Sequence, residues 1–256
     1  RRGNRLAGVV SMRLIFLGTG GYHANERRET ASLMIPELGL IFDAGSSIFR
    51  VASRLLSTEV DLFLTHAHLD HIMGLTILLV PMLKKEITRC RIHAEPHVID
   101  AVRTHLFSQP IFPVLPDFEF VPLTDRVPIA GGRATITSHP LKHPGGSRGF
   151  LLNVDGHRLA YITDTTVDGS YTEFIRGADV LIHECNFGDD MAQWCQPTGH
   201  SHTTAVAQLA RDAGVGRLYL THIDPQRPDD DPIGIDVARS IFRQSILAED
   251  LLEIEF

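Results

Sequence analysis

Cysteine is scarce in this chain of 256 residues: only three cysteines occur, and no two of them have the CxxC spacing of a metal or redox motif. An odd number of scattered cysteines argues against a disulfide framework and against a zinc site built from thiolates. We expect Cys185 and Cys195 to pack as buried free thiols. This cysteine usage is typical of a reducing compartment, and the predicted localisation is cytoplasmic.

Long apolar runs are missing as well. The longest candidate, residues 72–83, contains Gly74 and Pro81 and falls short of the roughly 20 apolar residues that cross a bilayer. The sequence therefore predicts a protein without a membrane partner. Its formal net charge of −7 works against non-specific binding to nucleic acid, because such binding depends on Lys and Arg that neutralise phosphates. Nucleic acid stays open as a partner but is not favoured.

The apolar runs that do occur are short and alternate with helical patterns, which indicates a mixed α/β fold. The predicted strands cover residues 13–17, 32–35, 40–43, 61–65, 91–93, 135–138, 150–154, 158–163, 180–183 and 217–221. The predicted helices begin near Ser46, Leu75, Glu95, Ser170, Thr203 and Pro232. No repeat, low-complexity tract or linker divides the chain. We therefore predict one domain over residues 12–256, with Met12 as the expected start and residues 1–11 as an N-terminal extension.

Histidine is abundant, and the clustering of the 14 histidines matters more than their number. Residues 64–71 read LTHAHLDH, so that an apolar strand runs directly into His66, His68, Asp70 and His71. The first two histidines stand at i and i+2, positions that point the same way along an extended chain. Imidazole nitrogens and carboxylate oxygens are common protein ligands of zinc and of neighbouring transition metals. Four such groups within six residues argue against plain surface histidines and predict a metal site.

This HxHxDH pattern after an apolar strand resembles the signature of the metallo-β-lactamase superfamily. The resemblance implies the fold of that superfamily, a four-layer αββα sandwich, and further ligands at the ends of later strands. His143, in the segment KHPGG, is favoured over His139 for this role. The implied site holds two metals: one bound by His66, His68 and His143, a second bound by Asp70, His71 and His222, and a bridge between them formed by Asp164.

Two divalent metal ions are therefore the predicted cofactors, with zinc favoured and manganese or iron left open. Two cations roughly 3.5–4 Å apart can clamp a phosphoryl or acyl oxygen and activate water. Asp43, in the segment IFDAG, resembles the superfamily's first motif, which implies that its carboxylate supports the histidine loop. Ligating histidines usually need a partner for their second ring nitrogen. An ordinary strand-end turn is the alternative for Asp43.

Two other motifs resemble the ribonuclease Z and cyclic phosphodiesterase branch of the superfamily. One is LGTGG at residues 17–21, followed by Arg27, Arg28 and Ser32. In ribonuclease Z, a long arm that grips tRNA lies between the positions that correspond to His143 and Asp164. Here only 21 positions separate these two residues, so that arm is missing. The cysteine-rich zinc cluster of the phosphoribosyl cyclic phosphodiesterases is missing too. These departures lower the expectation of tRNA as the substrate.

The second motif pairs Glu184, in the segment HE, with His200, in the segment GHS. The resemblance implies that Glu184 orients His200 and that His200 protonates the leaving oxygen, a step that phosphodiester cleavage needs because an alkoxide is a poor leaving group. The predicted catalytic residues are His200, Glu184 and Asp70. His202 stays open as an alternative acid, and His183 is either a supporting or a core residue.

The sequence thus predicts a binuclear metal-dependent hydrolase, a phosphodiesterase whose partner is a small or cyclic nucleotide or phosphoribosyl diester. One alternative is a ribonuclease Z-like tRNA 3′-processing endonuclease. Another is a glyoxalase-like thioesterase or lactonase, which would not need the pair of His200 and Glu184. A di-iron reductase is disfavoured because that branch has a glutamate in place of His68. The complete ligand set argues against an inactive metal-binding scaffold, and a homodimer is left open.

Overall fold

The computed structural model of this chain describes residues 12–227 and 229–256. The extension predicted at residues 1–11 lies outside the described residues. Within the described residues the strands form two seven-stranded sheets. The two sheets face each other, and helices cover their outer sides.

The first sheet contains β1 (Arg13–Gly18), β2 (Ser32–Ile35), β3 (Leu40–Phe42), β4 (Glu59–Phe63), β5 (Arg89–Ala94), β6 (Phe118–Pro122) and β14 (Glu253–Glu255). Its strand order is β14-β1-β2-β3-β4-β5-β6. Along this order, the pairings β14·β1, β1·β2 and β2·β3 are antiparallel. The pairings β3·β4, β4·β5 and β5·β6 are parallel.

The second sheet contains β7 (Arg126–Ile129), β8 (Ala134–Leu141), β9 (Ser147–Val154), β10 (His157–Ile162), β11 (Val180–Glu184), β12 (Arg217–Thr221) and β13 (Ser245–Leu247). Its strand order is β13-β12-β11-β10-β9-β8-β7. The strands from β10 to β13 run parallel, so their carboxyl ends share one edge of the sheet. The strands from β7 to β10 form an antiparallel meander.

Short helices connect the strands: α1 (Leu69–Ile72), α2 (Leu79–Leu83), α3 (Pro96–Ala101), α4 (Thr172–Ile175), α5 (Cys195–Thr198), α6 (Thr203–Ala213) and α7 (Ile235–Ile241). A π-helical turn, Val102–Leu106, extends α3. Single 3₁₀ turns occupy Pro36–Leu38, Ser46–Arg50, Ala52–Arg54, Met73–Thr76, Ala130–Gly132 and Asp189–Trp194. None of the helices within the described part of the chain has the length and apolar character needed to cross a membrane.

Alternate residues of one strand enter different cores, as the two-residue period of a strand requires. In β1, Leu14 and Phe16 belong to the core between the sheets, whereas Ile15 and Leu17 pack under the helices on the outer side. In β10, Tyr161 faces the core between the sheets, and its neighbour Ile162 faces the helices that cover the second sheet. These three cores separate four layers, so the predicted αββα sandwich is confirmed.

The ten predicted strands are all present, with ends that differ by up to three residues. The structure adds β6, β7, β13 and β14, which the sequence analysis missed. The predicted helix at Thr203 begins where expected and ends at Ala213, and Gly214 follows in the left-handed conformation. The helix expected near Pro232 begins at Ile235 instead, because the Asp231 carboxylate accepts the Ile235 N–H at 2.8 Å. The helix expected at Ser46 is a 3₁₀ turn.

Candidate metal centre

The seven predicted metal ligands lie beside one another, on segments that follow the ends of four strands. The strand β4 leads into His66 and His68, and α1 carries Asp70 and His71. The remaining ligands follow three strands of the second sheet, namely His143 after β8, Asp164 after β10 and His222 after β12. The fold therefore brings together residues that are up to 156 positions apart in the sequence.

The first group of ligand atoms contains three histidines and one oxygen of Asp164. The Asp164 Oδ2 atom lies 3.6 Å from His66 Nε2 and 3.7 Å from His143 Nε2. His68 Nδ1 lies 3.2 Å from His143 Nε2. His66 Nε2 is buried without a hydrogen-bond partner, which leaves its lone pair directed at the group. A buried polar atom without a partner is costly, so a cation bound among these atoms would satisfy it.

The second group contains Asp70, His71, His222 and the other oxygen of Asp164. The Asp164 Oδ1 atom lies 3.2 Å from His71 Nε2 and 3.3 Å from His222 Nε2. Asp70 Oδ2 lies 3.4 Å from each of the same two nitrogens. The His222 ring fits against Gly21, where an added Cβ would lie 2.5 Å from the ring. Glycine at this position is therefore required for the close approach.

The spacing and chemistry of these atoms fit divalent metal ions. In a tetrahedral site with zinc–ligand bonds of about 2.0–2.1 Å, ligand atoms stand roughly 3.3–3.4 Å apart. The distances in the second group, 3.2 to 3.4 Å, match this spacing. The first group, at 3.2 to 3.7 Å, is slightly wider. The two oxygens of Asp164 face different groups, which is the geometry of a bridging carboxylate.

Neighbouring groups fix which nitrogen of His71 and of His143 faces the centre. Asp43 Oδ2 accepts a hydrogen bond from His71 Nδ1 at 2.9 Å and another from the Tyr161 hydroxyl at 2.9 Å. Its Oδ1 accepts the Thr65 N–H at 2.8 Å. The His143 Nδ1 atom lies 2.9 Å from the Gly199 carbonyl oxygen, to which it can donate. The structure thus places Asp43 in the supporting position that the sequence predicted, with the His71 Nε2 lone pair left for a metal.

The charges of the centre are coupled. Burial alone would raise the pKa of the Asp164 carboxyl, but the neighbouring His222 and His71 hold that pKa well below its usual range. Burial lowers the pKa of His66, which keeps this histidine neutral and available as a ligand. The pKa of Asp70 is likewise lowered, because the neighbouring His71 and His222 outweigh the opposing effect of burial. The carboxylates are therefore ionised, as metal ligands must be.

A hydrogen-bonded pair, His200 and Glu184, lies beside the ligand groups. Glu184 is fully buried at the end of β11, and its Oε1 lies 2.9 Å from His200 Nδ1. Three backbone N–H groups, those of Thr165, Asn186 and Ser201, donate to the same carboxylate. Burial alone would lower the pKa of His200, but the Glu184 carboxylate raises it to about 9. Glu184 thus holds His200 in one orientation and favours its protonated form.

The two other histidines near this pair have different surroundings. The His202 Nδ1 atom lies 2.7 Å from Asp189 Oδ1 at the start of α6, and His202 does not line the cavity that contains the ligands. The His183 ring is fully buried, with Nε2 at 2.8 Å from the Tyr171 hydroxyl. Among the described residues the geometry therefore favours His200 over His202 as an acid, and it makes His183 a core residue.

A cavity of about 160 Å³ gives access to the centre. Its lining includes four residues that the sequence analysis did not single out as functional: Tyr22, Pro144, Asn186 and Thr198. The sequence offered a signal for two of these residues. Pro144 follows His143 directly, and Asn186 lies two positions after Glu184. The predicted N-terminal motif has a structural role, because Arg28 is buried and donates to Thr19 Oγ1 and to the Ala248 carbonyl.

Comparison with known proteins agrees with this geometry. Residues 40–223 match the family described as beta-lactamase superfamily domain. A ribonuclease Z of Methanosarcina acetivorans is 28% identical, over 95% of this chain and 98% of that protein. The crystal structure of the metallo-beta-lactamase fold protein YhfI from Bacillus subtilis superposes with a TM-score of 0.80 at 23% identity, over 96% of this chain and 100% of that one. A diphosphatase of the PhnP family superposes with a TM-score of 0.74 at 20% identity, over 96% and 98%.

The matched family covers more than half of the chain and includes all seven ligand positions. Its extent agrees with the order of motifs along the sequence, from Asp43 in the first motif to His222 in the last. The prediction of a metal-dependent hydrolase of this superfamily is confirmed. The chain belongs to the beta-lactamase superfamily.

Proposed function

We propose that this chain hydrolyses phosphodiester bonds with the aid of two divalent metal ions. The observation that carries the proposal is the position of His200, which lines the same cavity as the ligand groups and is held there by Glu184. An alkoxide leaving group needs a proton donor of this kind. A thiolate leaves without one, so a thioesterase has no need of the pair.

The proposed ligands of the first ion are His66, His68 and His143, and those of the second are Asp70, His71 and His222. Asp164 is proposed as the bridge, which is supported by the separate orientation of its two oxygens. Zinc is the favoured metal because the ligand set consists of imidazoles and carboxylates. Bound ions would supply positive charge that stabilises the phosphoryl oxygens and would activate the attacking water.

The chain's own contribution to the reaction is orientation and a proton. Because His200 Nδ1 faces Glu184, the proton for the leaving oxygen is on Nε2, the other ring nitrogen. The Glu184 carboxylate is held in turn by three backbone N–H groups, so it stabilises the positive charge on His200 without moving. The His200 ring stacks on His222 with ring centroids 5.3 Å apart, which keeps the acid next to the proposed second ion.

Two substrate classes fit this chemistry. Curated relatives of this chain, such as that of Methanosarcina acetivorans, are named ribonuclease Z. Their similarity favours the alternative of an endonuclease that acts at the 3′ end of precursor tRNA over the small diester that the sequence analysis preferred. The small diester stays as a second candidate on a specific observation. The alignment with that relative extends over 308 positions, more than the 256 residues of this chain, so the relative contains insertions that this chain lacks.

The test is a set of matched substrates given to the zinc-reconstituted protein. These are a precursor tRNA with a 3′ trailer, the mature tRNA as its control, a 2′,3′-cyclic nucleotide and a thioester. Release of the trailer, with mature tRNA left intact, supports the ribonuclease Z class. Hydrolysis of the cyclic nucleotide alone supports the small-diester class. Turnover of the thioester without cleavage of either diester contradicts the proposal.

A further inference from the structure

The loop between β1 and β2 places an aromatic ring at the mouth of the metal cavity. Tyr22 lines this cavity, and 72% of the residue is exposed. Apart from Pro144, all the other residues of the lining are polar, namely His68, Asp70, His143, Asp164, Asn186, Thr198, His200 and His222. Tyr22 therefore offers the one aromatic face, other than the histidine rings, among the described residues that line the cavity.

The backbone that carries this ring is fixed. Tyr22 has a φ of 57°, in the left-handed region that bulky residues seldom adopt. Its N–H donates to Asp70 Oδ2 at 2.9 Å, and the N–H of Gly21 donates to the Ile223 carbonyl at 3.0 Å. A few residues further along, Arg28 anchors the loop to the Ala248 carbonyl. The backbone of Tyr22 is thus held at the cavity rather than carried on a free loop.

Packing does not account for an aromatic residue at this position. The Tyr22 ring contacts the neighbouring His23 ring, with centroids 5.1 Å apart in an edge-to-face arrangement. No hydrogen bond of the Tyr22 hydroxyl occurs within residues 12–227 and 229–256. Strained backbone at a site entrance is a recurrent mark of functional residues, since strain without a role is removed easily by substitution. Tyr22 thus combines an exposed ring, a strained backbone and a contact with a proposed metal ligand. This combination indicates that the ring binds part of the substrate.

We propose that Tyr22 is a platform on which a nucleobase of the substrate stacks while the adjacent phosphate lies at the metal centre. The residue thereby determines a preference for nucleotide diesters over base-free ones. This inference rests on the proposed phosphodiesterase function and adds a specificity residue to it. Aromatic side chains bind unpaired bases of any sequence in this way, because every base has a π face. The backbone contact of Tyr22 with Asp70 places this residue directly beside a proposed metal ligand.

The test compares a ligand that has a base with one that lacks it. Adenosine 5′-monophosphate and ribose 5-phosphate are titrated by calorimetry into the zinc-loaded wild-type protein and its Tyr22→Ala, Tyr22→Leu and Tyr22→Phe variants. Stacking on one aromatic ring corresponds to about a 5- to 150-fold change in Kd. We expect Tyr22→Ala to weaken binding of the nucleotide within that range and to leave ribose 5-phosphate unchanged. Tyr22→Phe should bind like the wild type, and Tyr22→Leu should lie between.

Leu251 provides a matched control, because it is also exposed, at 43%, and has a φ of 65°, yet it does not line the cavity. Leu251→Ala should leave the affinity for both ligands unchanged. The stacking role is overturned if Tyr22→Ala weakens both ligands equally, weakens neither, or releases metal. If the wild-type protein cleaves no diester at all, the proposed function fails; intact cleavage with equal Kd values in the variants overturns only the role of Tyr22.

Discussion

Replacement of His200 with Ala should slow hydrolysis in proportion to how much the leaving group needs a proton. General acid catalysis typically contributes about 10²- to 10⁴-fold, which corresponds to about 3 to 5 kcal/mol of transition-state stabilisation. The orientation of His200 by the fully buried Glu184 and its place on the cavity wall favour a contribution within this range. An alkyl diester or a cyclic nucleotide should show the full loss. A nitrophenyl diester, whose leaving group is a weak base, should keep most of its rate.

The variant should fold and keep its metal, because Glu184 retains other partners. The N–H groups of Thr165, Asn186 and Ser201 still donate to the carboxylate after the imidazole is removed. His202 supplies the matched control, since it pairs with Asp189 outside the cavity. The assay is kcat on the two diesters for the wild type, His200→Ala and His202→Ala, together with metal content. Equal slowing of both diesters by His200→Ala, or loss of metal, refutes the reasoning.

Two further predictions concern buried carboxylates. Asp43→Asn keeps a residue that tolerates the φ of 57° but weakens the hydrogen-bond acceptor for His71 Nδ1. Zinc affinity, measured by chelator competition, should therefore fall about 10- to 100-fold. An unchanged affinity would show that Asp43 does not support the metal site. Asp61 has a pKa lowered to about 2, because the hydrogen bonds and charges of Arg91 and His93 outweigh the opposing effect of burial. The resulting stability, about 1 to 2 kcal/mol, is present above about pH 4 and is lost as the pH falls toward 2. Urea unfolding of Asp61→Asn should therefore show a deficit at pH 6 that shrinks by pH 2.5, and a constant deficit would contradict the assignment.

The strands of the two sheet centres could be predicted because their apolar residues form continuous buried runs. β7 was missed since Pro128 lies inside it, and β6 since Pro122 ends it, because proline in or beside a run weakens a strand assignment. β13 and β14 are three residues long and gain their stability from pairing with β12 and β1. Such edge strands depend on a neighbour that is distant in the sequence, and a local pattern does not contain it.

The candidate site likewise has a part that local sequence patterns predict and a part that depends on the folded chain. Ligands that share one strand end, such as His66 and His68, have a local spacing that sequence analysis can detect. The separate orientation of the two Asp164 oxygens emerges only when both sheets are assembled. Tyr22 was missed because nothing in the segment TGGYHAN distinguishes a cavity-lining tyrosine from a surface one. Its left-handed φ and its N–H contact with Asp70 are properties of the folded chain alone.

The most direct test of the account is a zinc titration of metal-free protein while hydrolysis of an activated diester is followed. We expect no turnover without metal and a rise that saturates at about two ions per chain, as the two ligand groups joined by Asp164 require. Asp164→Ala should lose both the stoichiometry and most of the rate, whereas His157→Ala, which changes a histidine outside the site, should behave like the wild type. Saturation at one ion per chain would contradict the bridged site. Absence of turnover at every ratio of zinc, manganese or iron would contradict the proposed function.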